Sequence, residues 1–117
     1  MNIKRGDICI AVLDPVMGKE MSKTRPVVVV SNDKNNEFSG TVTILPITSQ
    51  NLGKIYPFEV FFSKGKGNLP KDSKVKADQI RTIDKIRLRA HWGKFKKNEM
   101  EEIEKALKIH LALPRSP

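Results

Sequence analysis

Six short apolar runs, each cut off by proline, glycine, asparagine or charged residues, leave this chain few ways to fold. Asp7 to Leu13 is rich in branched residues and lies between Gly6 and Asp14-Pro15, which predicts a well-buried strand. Val27 to Val30, four consecutive valines between Arg25-Pro26 and Ser31-Asn32-Asp33, predicts a second. Thr41–Thr48, Phe58–Phe62, Lys74–Ile80 and Arg89–Phe95 give the third to sixth, and Asn32 to Gly40 reads as a polar loop. Short strands joined by turn-forming residues predict a sandwich or small barrel. One stretch has a helical period, and it comes last. Residues 98–113 form the predicted helix, with Asn98 as N-cap, Glu101 completing a capping-box pattern, and Glu99, Glu101 and Glu102 facing the positive end of the dipole. Met100, Ile103, Leu107 and Leu111, with Ala106 beside them, form its packing face, and residues 114–117 form a tail. At 117 residues the chain suits a single domain, 1–113.

The charge is concentrated. Residues 64–97 hold twelve Lys/Arg against three Asp/Glu, which equals the formal net charge of +9 for the whole chain. Such a block predicts a polyanionic, salt-sensitive partner, although a solvated lysine surface fits the composition equally well. It has no amphipathic Trp/Leu face for a membrane surface, and no apolar stretch approaches the length of a membrane span. The first residues lack the pattern of a secretory leader. Together these features predict a cytoplasmic protein without membrane contact.

Few residues offer conventional catalytic chemistry. Cys9 is alone and reads as a small core residue. His91 and His110 are isolated, so with one cysteine they give no metal-ligand spacing, and neither a metal nor a cofactor is expected. His110 falls in the helical packing stripe, which predicts a core or dimer contact, and His91 reads as a surface histidine. Lys64-Gly65-Lys66-Gly67-Asn68 lacks the rest of a phosphate-loop pattern and reads as a flexible basic turn. Tyr56 and Phe58 could stack on bases.

The third strand changes parity: Val42 and Ile44 are its apolar members at first, then Leu45 and Ile47. A bulge near Pro46 reconciles the halves and turns Thr48 outward. Suppose the second and third strands form a hairpin with Ser31 opposite Thr41. Arg25 then faces position 47, and the bulge moves this to Thr48. A planar guanidinium beside a hydroxyl could hold a phosphodiester and stabilise added negative charge on it. In RNA the neighbouring 2′-hydroxyl already supplies the nucleophile. Spacing alone also fits Arg25 as a surface charge and Thr48 as a strand-end residue, and favours that plainer reading.

Six segments occur in an order that carries more information. They are Arg5-Gly6-Asp7; Leu13-Asp14-Pro15 with Gly18-Lys19-Glu20; Thr24-Arg25-Pro26-Val27-Val28-Val29; Leu45-Pro46-Ile47-Thr48-Ser49-Gln50; Tyr56-Pro57-Phe58-Glu59-Val60; and Ala77-Asp78-Gln79-Ile80-Arg81-Thr82. In these the sequence resembles the MazF/PemK (Kid) family of bacterial toxin endoribonucleases. The resemblance implies an SH3-like β-barrel with a C-terminal helix, a homodimer, and cofactor-free, metal-independent cleavage of single-stranded RNA at a short sequence such as one containing ACA. The implied products carry 2′,3′-cyclic phosphate and 5′-hydroxyl ends. Arg25 and Thr48 are the implied catalytic pair, with Glu20 as a third candidate able to take the 2′-hydroxyl proton. Lys19, Ser49, Gln50, Tyr56, Asp78, Gln79 and Arg81 are the implied RNA contacts. The implied partner is a small MazE-like antitoxin, whose acidic segment would lie over the basic groove. Family loops often carry a glycine after their Gly-x-Glu, whereas here the run is Gly18-Lys19-Glu20-Met21-Ser22-Lys23, so the cut sequence does not carry over. Two other classes stay open: a CcdB-like toxin of the same barrel that poisons DNA gyrase, and an RNA-binding barrel without chemistry.

Overall fold

Both faces of the central strands are buried, which is why Val27–Val30 needs no polar alternation. In a computed structural model, which describes residues 1–114, Val28, Val30, Leu45 and Ile47 belong to one apolar cluster with Ile8, Phe62, Phe95, Met100 and Ile103. Val27, Val29, Val42 and Ile44 belong to a second cluster with Cys9, Ala11, Leu13, Ile83 and Leu88. Successive residues of a strand point to opposite faces, so these clusters lie on the two sides of the same strands.

The strands are β1 (Asp7–Val12), β2 (Thr24–Val29), β3 (Thr41–Thr48), β4 (Glu59–Phe62), β5 (Ser73–Lys76), β6 (Arg81–Asp84) and β7 (Leu88–Lys94). All the pairings are antiparallel, in the order β4-β5-β3-β2-β1-β7, with β6 also on β3. The expected mainly-β fold with a C-terminal helix is present, but the strand path does not close, and β4 and β7 are its two ends. The β4–β5 connection lies against the β7 end. Gly67 (φ +55°) packs so close to Ile8 and Phe95 that an added Cβ would stand 2.3 Å from the Ile8 Cδ1 atom. Asn68 Nδ2 donates to the Trp92 carbonyl at 3.0 Å. Gly67 and Asn68 thus anchor the basic turn to the sheet, while Lys64, Gly65 and Lys66 stay exposed.

Several other expectations are corrected. The parity change in β3 needs no bulge. The β2–β3 ladder runs evenly through Val27–Pro46, Val28–Leu45 and Val29–Ile44, one residue away from the proposed register, and the two apolar sets simply face the two clusters. On its other edge β3 pairs with β6 from Thr41 to Ile44 and with β5 at Ile47 and Thr48. The changeover falls at Leu45-Pro46, where proline has no N–H to donate. The polar loop contains a helix, α1 (Asp33–Phe38), capped by the Asn32 side chain accepting from the Asn35 N–H at 2.8 Å. The predicted fifth strand stops at Lys76, turns through Ala77–Gln79, and restarts as β6.

The last helix, α2, spans Lys97–His110, not 98–113. Lys96 is its N-cap residue and Glu99, not Glu101, reaches back to accept from the Lys96 N–H at 2.7 Å. Met100, Ile103 and Ala106 are buried and Leu107 packs beside them, each large buried chain contributing about 1.5–3 kcal/mol. Leu111 and His110 are exposed, so the packing face ends before them and His110 is not a core residue. Residues 115–117 of the expected tail lie outside the described residues. Among the described residues no helix is long and apolar enough to cross a membrane.

Candidate active site

Arg25 and Thr48 sit at the same end of the sheet, on the same face. Extended by two residues, the β2–β3 register sets them level with each other. The two offsets in the sequence reading, a register one residue out and a bulge that is not there, cancel. Thr48 pairs in turn with Lys74 on β5, and Arg25 with Ala11 on β1. A transverse row Ala11–Arg25–Thr48–Lys74 therefore crosses four strands.

Arg25 is half-buried, and its Nε donates to the Ser22 carbonyl at 2.8 Å. Among the described residues no other acceptor engages its guanidinium, so the two Nη groups are available to an anion. Burial lowers its pKa and the Asp14 carboxylate partly opposes this; a guanidinium so shifted remains a cation. Thr48 Oγ1 accepts from the Gln50 N–H at 3.1 Å, which leaves the hydroxyl proton free to be donated outward.

The β1–β2 loop closes one side. Its base is fixed by the Leu13 N–H donating to the Lys23 carbonyl and the Lys23 N–H donating to Asp14 Oδ1, both at 3.0 Å. Lys23 takes φ +68°, a left-handed position without a glycine. Arg81 Nη1 donates to the Leu13 carbonyl at 2.8 Å, and Arg87 Nη1 to the Asp14 carbonyl at 2.6 Å. The Met21 N–H donates to Gln79 Oε1 at 3.2 Å, tying the loop to the turn after β5. Between loop and turn lies a cavity of about 340 Å³ lined by Glu20, Met21, Pro46, Asp78, Gln79 and Arg81, among others. Four sequence candidates, Glu20, Asp78, Gln79 and Arg81, thus meet in one place. Glu20 does not join the Arg25–Thr48 pair; its carboxylate turns back to its own loop, 3.5 Å from the Met17 N–H. Lys19 is exposed on the same loop. Asp78 Oδ1 is buried without a hydrogen-bond partner among the described residues, 3.8 Å from Lys76 Nζ.

On the other side, the β3–β4 connection carries Ser49 and Gln50, both exposed. Tyr56 stacks on Phe58 with centroids 5.3 Å apart and planes 9° apart, and Lys54 Nζ lies 4.9 Å from the Tyr56 ring centroid. Beneath this connection is a feature the sequence reading missed. Glu59, fully buried, accepts from Lys76 Nζ at 2.7 Å, Lys74 Nζ at 3.1 Å and the Tyr56 N–H at 3.0 Å. Burial pushes its pKa up, but Lys76, the Tyr56 amide and Lys74 outweigh this and hold it below the ordinary value. A lone glutamate opening the apolar run Glu59-Val60-Phe61-Phe62 was the available signal. Lys74 and Lys76 therefore do not belong to a freely solvated block.

Against this geometry, residues 4–111 match the model of the PemK-like, MazF-like toxins of type II toxin–antitoxin systems. The chain belongs to this family. It is 40% identical over 116 residues to endoribonuclease MazF9 of Mycobacterium tuberculosis, covering 95% of this chain and 98% of the relative. Its fold matches MazF of Deinococcus radiodurans with a TM-score of 0.82 at 26% identity, over 96% of this chain and 98% of that one. A MazE–MazF structure from the same organism matches with a TM-score of 0.76 at 25% identity, over 97% and 99%. Within the PemK/MazF family this chain is a homologue of endoribonuclease toxins, which favours the nuclease class over a CcdB-like gyrase poison.

Proposed function

We propose that this protein is a sequence-selective endoribonuclease toxin acting on single-stranded RNA in the bacterial cytoplasm, held in check by a small acidic antitoxin. One observation carries the chemistry: a cationic guanidinium and a hydroxyl with a free proton, level on adjacent strands at one end of a rigid sheet. In the proposed reaction the 2′-hydroxyl oxygen attacks the adjacent phosphorus and the P–O5′ bond breaks, leaving a 2′,3′-cyclic phosphate and a 5′-hydroxyl. Arg25 and Thr48 donate to the non-bridging oxygens, where charge grows in the transition state. Fixed donors of this kind typically supply about 10²–10³-fold each. Since Arg25 stays charged, it stabilises the leaving O5′ by hydrogen bonding and is neither the base nor the acid; the O5′ takes its proton from solvent as the P–O5′ bond breaks. Glu20 is the candidate acceptor of the 2′-hydroxyl proton; a bound strand would have to draw its carboxylate out of its own turn.

The cavity beside Glu20, Asp78, Gln79 and Arg81 has polar edges suited to an unstacked base, and the Tyr56–Phe58 stack offers a second base platform. The MazE–MazF complex of the D. radiodurans relative supports an antitoxin partner. Exposed Ile109, Leu111 and Leu113 at the end of α2 supply apolar surface for the proposed homodimer.

End-mapping of a long RNA digested with pure protein, with and without EDTA, tests the proposal. Cleavage at one short sequence with cyclic-phosphate ends, undiminished by EDTA, is the expected result. Intact RNA retained at low salt would instead leave a binding barrel without chemistry. Arg25→Ala is expected to lose cleavage by about 10²-fold or more while RNA affinity falls far less; equal losses would reduce Arg25 to a binding residue.

A further inference from the structure

The ion triad under the β3–β4 connection is used by no step of this reaction, yet it is an unfavourable way to fill a strand interface. The side chain of Glu59 is 0% exposed and that of Lys74 is 5% exposed. Withdrawing both charges from water is strongly unfavourable, and an apolar pair would fill the space without that penalty. What the triad supplies is direction. Two of the partners of Lys74 Nζ are main-chain carbonyls of the connection, Asn51 at 2.9 Å and Lys54 at 3.2 Å; its third is Glu59. Glu59 also takes the Tyr56 N–H. Three points of an otherwise exposed segment therefore hang on one buried pair. The first of them, Asn51, holds φ +55°, a left-handed conformation that a non-glycine residue adopts at a cost unless its surroundings impose it. Gln50 is caught between this anchored residue and Thr48, whose strand is itself fixed to Lys74 in the ladder.

We propose that Lys74 and Glu59 are positioning residues of the nuclease site: by fixing the chain just after Thr48, they hold the Gln50 N–H on Thr48 Oγ1 so that the hydroxyl proton points to the scissile phosphate. The inference rests on the reading of Thr48 as a phosphate contact. It also explains how an exposed turn presents Ser49, Gln50 and Tyr56 in one arrangement to a bound strand.

The test uses the full chain and an RNA carrying the mapped cut site. Glu59→Gln with Lys74→Met removes both buried charges together, leaves the partly exposed Lys76 facing Asp78 at 3.8 Å, and loses the donor to the Asn51 and Lys54 carbonyls. In the folded double variant kcat is expected to fall about 10- to 100-fold, as a misplacement of about 1 Å does, with KM within about threefold. Added to Thr48→Ala, the same two changes are expected to cause no further loss, because they act through that hydroxyl. A kcat within twofold of wild type, or a full additional loss on top of Thr48→Ala, overturns the positioning role. Wild-type protein gives a readout that needs no variant: the Tyr56 amide should exchange with solvent at least about 100-fold more slowly than that of exposed Gly53, and equal rates overturn the clamp. Full activity in Thr48→Ala itself would overturn the reading of the site; an inactive Thr48→Ala beside a fully active double variant would overturn the positioning role alone.

Discussion

Removing the Thr48 hydroxyl separates its chemistry from its part in the fold. In the folded protein Oγ1 accepts one hydrogen bond, from the Gln50 N–H, at a half-buried strand end next to exposed residues. Water can replace that acceptor, so Thr48→Val, which keeps the branched shape, should change stability by less than about 1 kcal/mol. On the reaction the expectation is different. A donor to a charged phosphate oxygen contributes about 1.5–3 kcal/mol, and up to about 4 kcal/mol where the site is preorganised, which corresponds to roughly 10- to 1,000-fold in rate. Thr48→Val and Thr48→Ala should therefore lose kcat by similar factors in that range, whereas Thr48→Ser keeps the donor and should stay within about tenfold of wild type. The assay is cleavage of a short fluorogenic RNA containing the mapped site, with kcat and KM fitted separately and each variant's melting recorded. A valine variant that melts normally and cuts within threefold of the wild-type kcat would refute the reasoning, whatever its KM.

Gly67→Ala would set a Cβ 2.3 Å from Ile8 Cδ1 and 3.1 Å from the Phe95 ring at φ +55°; left-handed strain of about 1–2 kcal/mol plus overpacking of about 1–3 kcal/mol should lower the melting temperature by roughly 10 °C or more, read by circular dichroism. The thiol of Cys9 is pushed up to about 11 by burial and, second, by Asp7, so the native protein should resist a thiol reagent at pH 8 and react on unfolding; rapid native labelling would contradict this. For Glu59, the folded pKa lies below the ordinary one, so its contribution to stability is present above the ordinary carboxylate range and is lost as pH falls through the folded value. Melting followed from pH 7 down to pH 3 should therefore show an acid limb that flattens in Glu59→Gln.

The strands were legible where burial on both faces left long branched runs. Val27–Val30 and Thr41–Thr48 read directly as strands because every residue or every second residue had to be apolar. The short elements were not. β6 contributes one deeply buried residue, Ile83, between two exposed ones, which is too little for any period to register. Asn32–Gly40 has the composition of a loop, and only the Asn32 cap and the buried Asn36, whose Nδ2 donates to the Ser31 carbonyl at 2.9 Å, make it helical. Of the site, the Arg25–Thr48 juxtaposition came out of the hairpin arithmetic only because a register one residue out and a bulge that is absent offset each other. The Lys74–Glu59–Lys76 triad was not legible, since it needs β4, β5 and the connection to come together, and a basic run in the sequence looks the same whether its lysines face water or a carboxylate.

That difference bears on how the charge works. Of the twelve basic residues between 64 and 97, Lys74 and Lys76 are bound to Glu59, and Arg81 and Arg87 donate to main-chain carbonyls of Val12, Leu13 and Asp14. These four build the walls of the site, while exposed Lys64, Lys66, Lys71, Arg89, Lys94, Lys96 and Lys97 remain to draw in a polyanion. The two groups predict separable behaviour. Neutralising the exposed lysines should weaken RNA binding at low salt and flatten its salt dependence while leaving kcat near wild type. Loss of a wall residue should act on kcat at any salt concentration, because it moves the donors themselves. A salt slope unchanged by removing three or four exposed cations would mean that the strand is held by the walls alone, and that the basic block has no steering role.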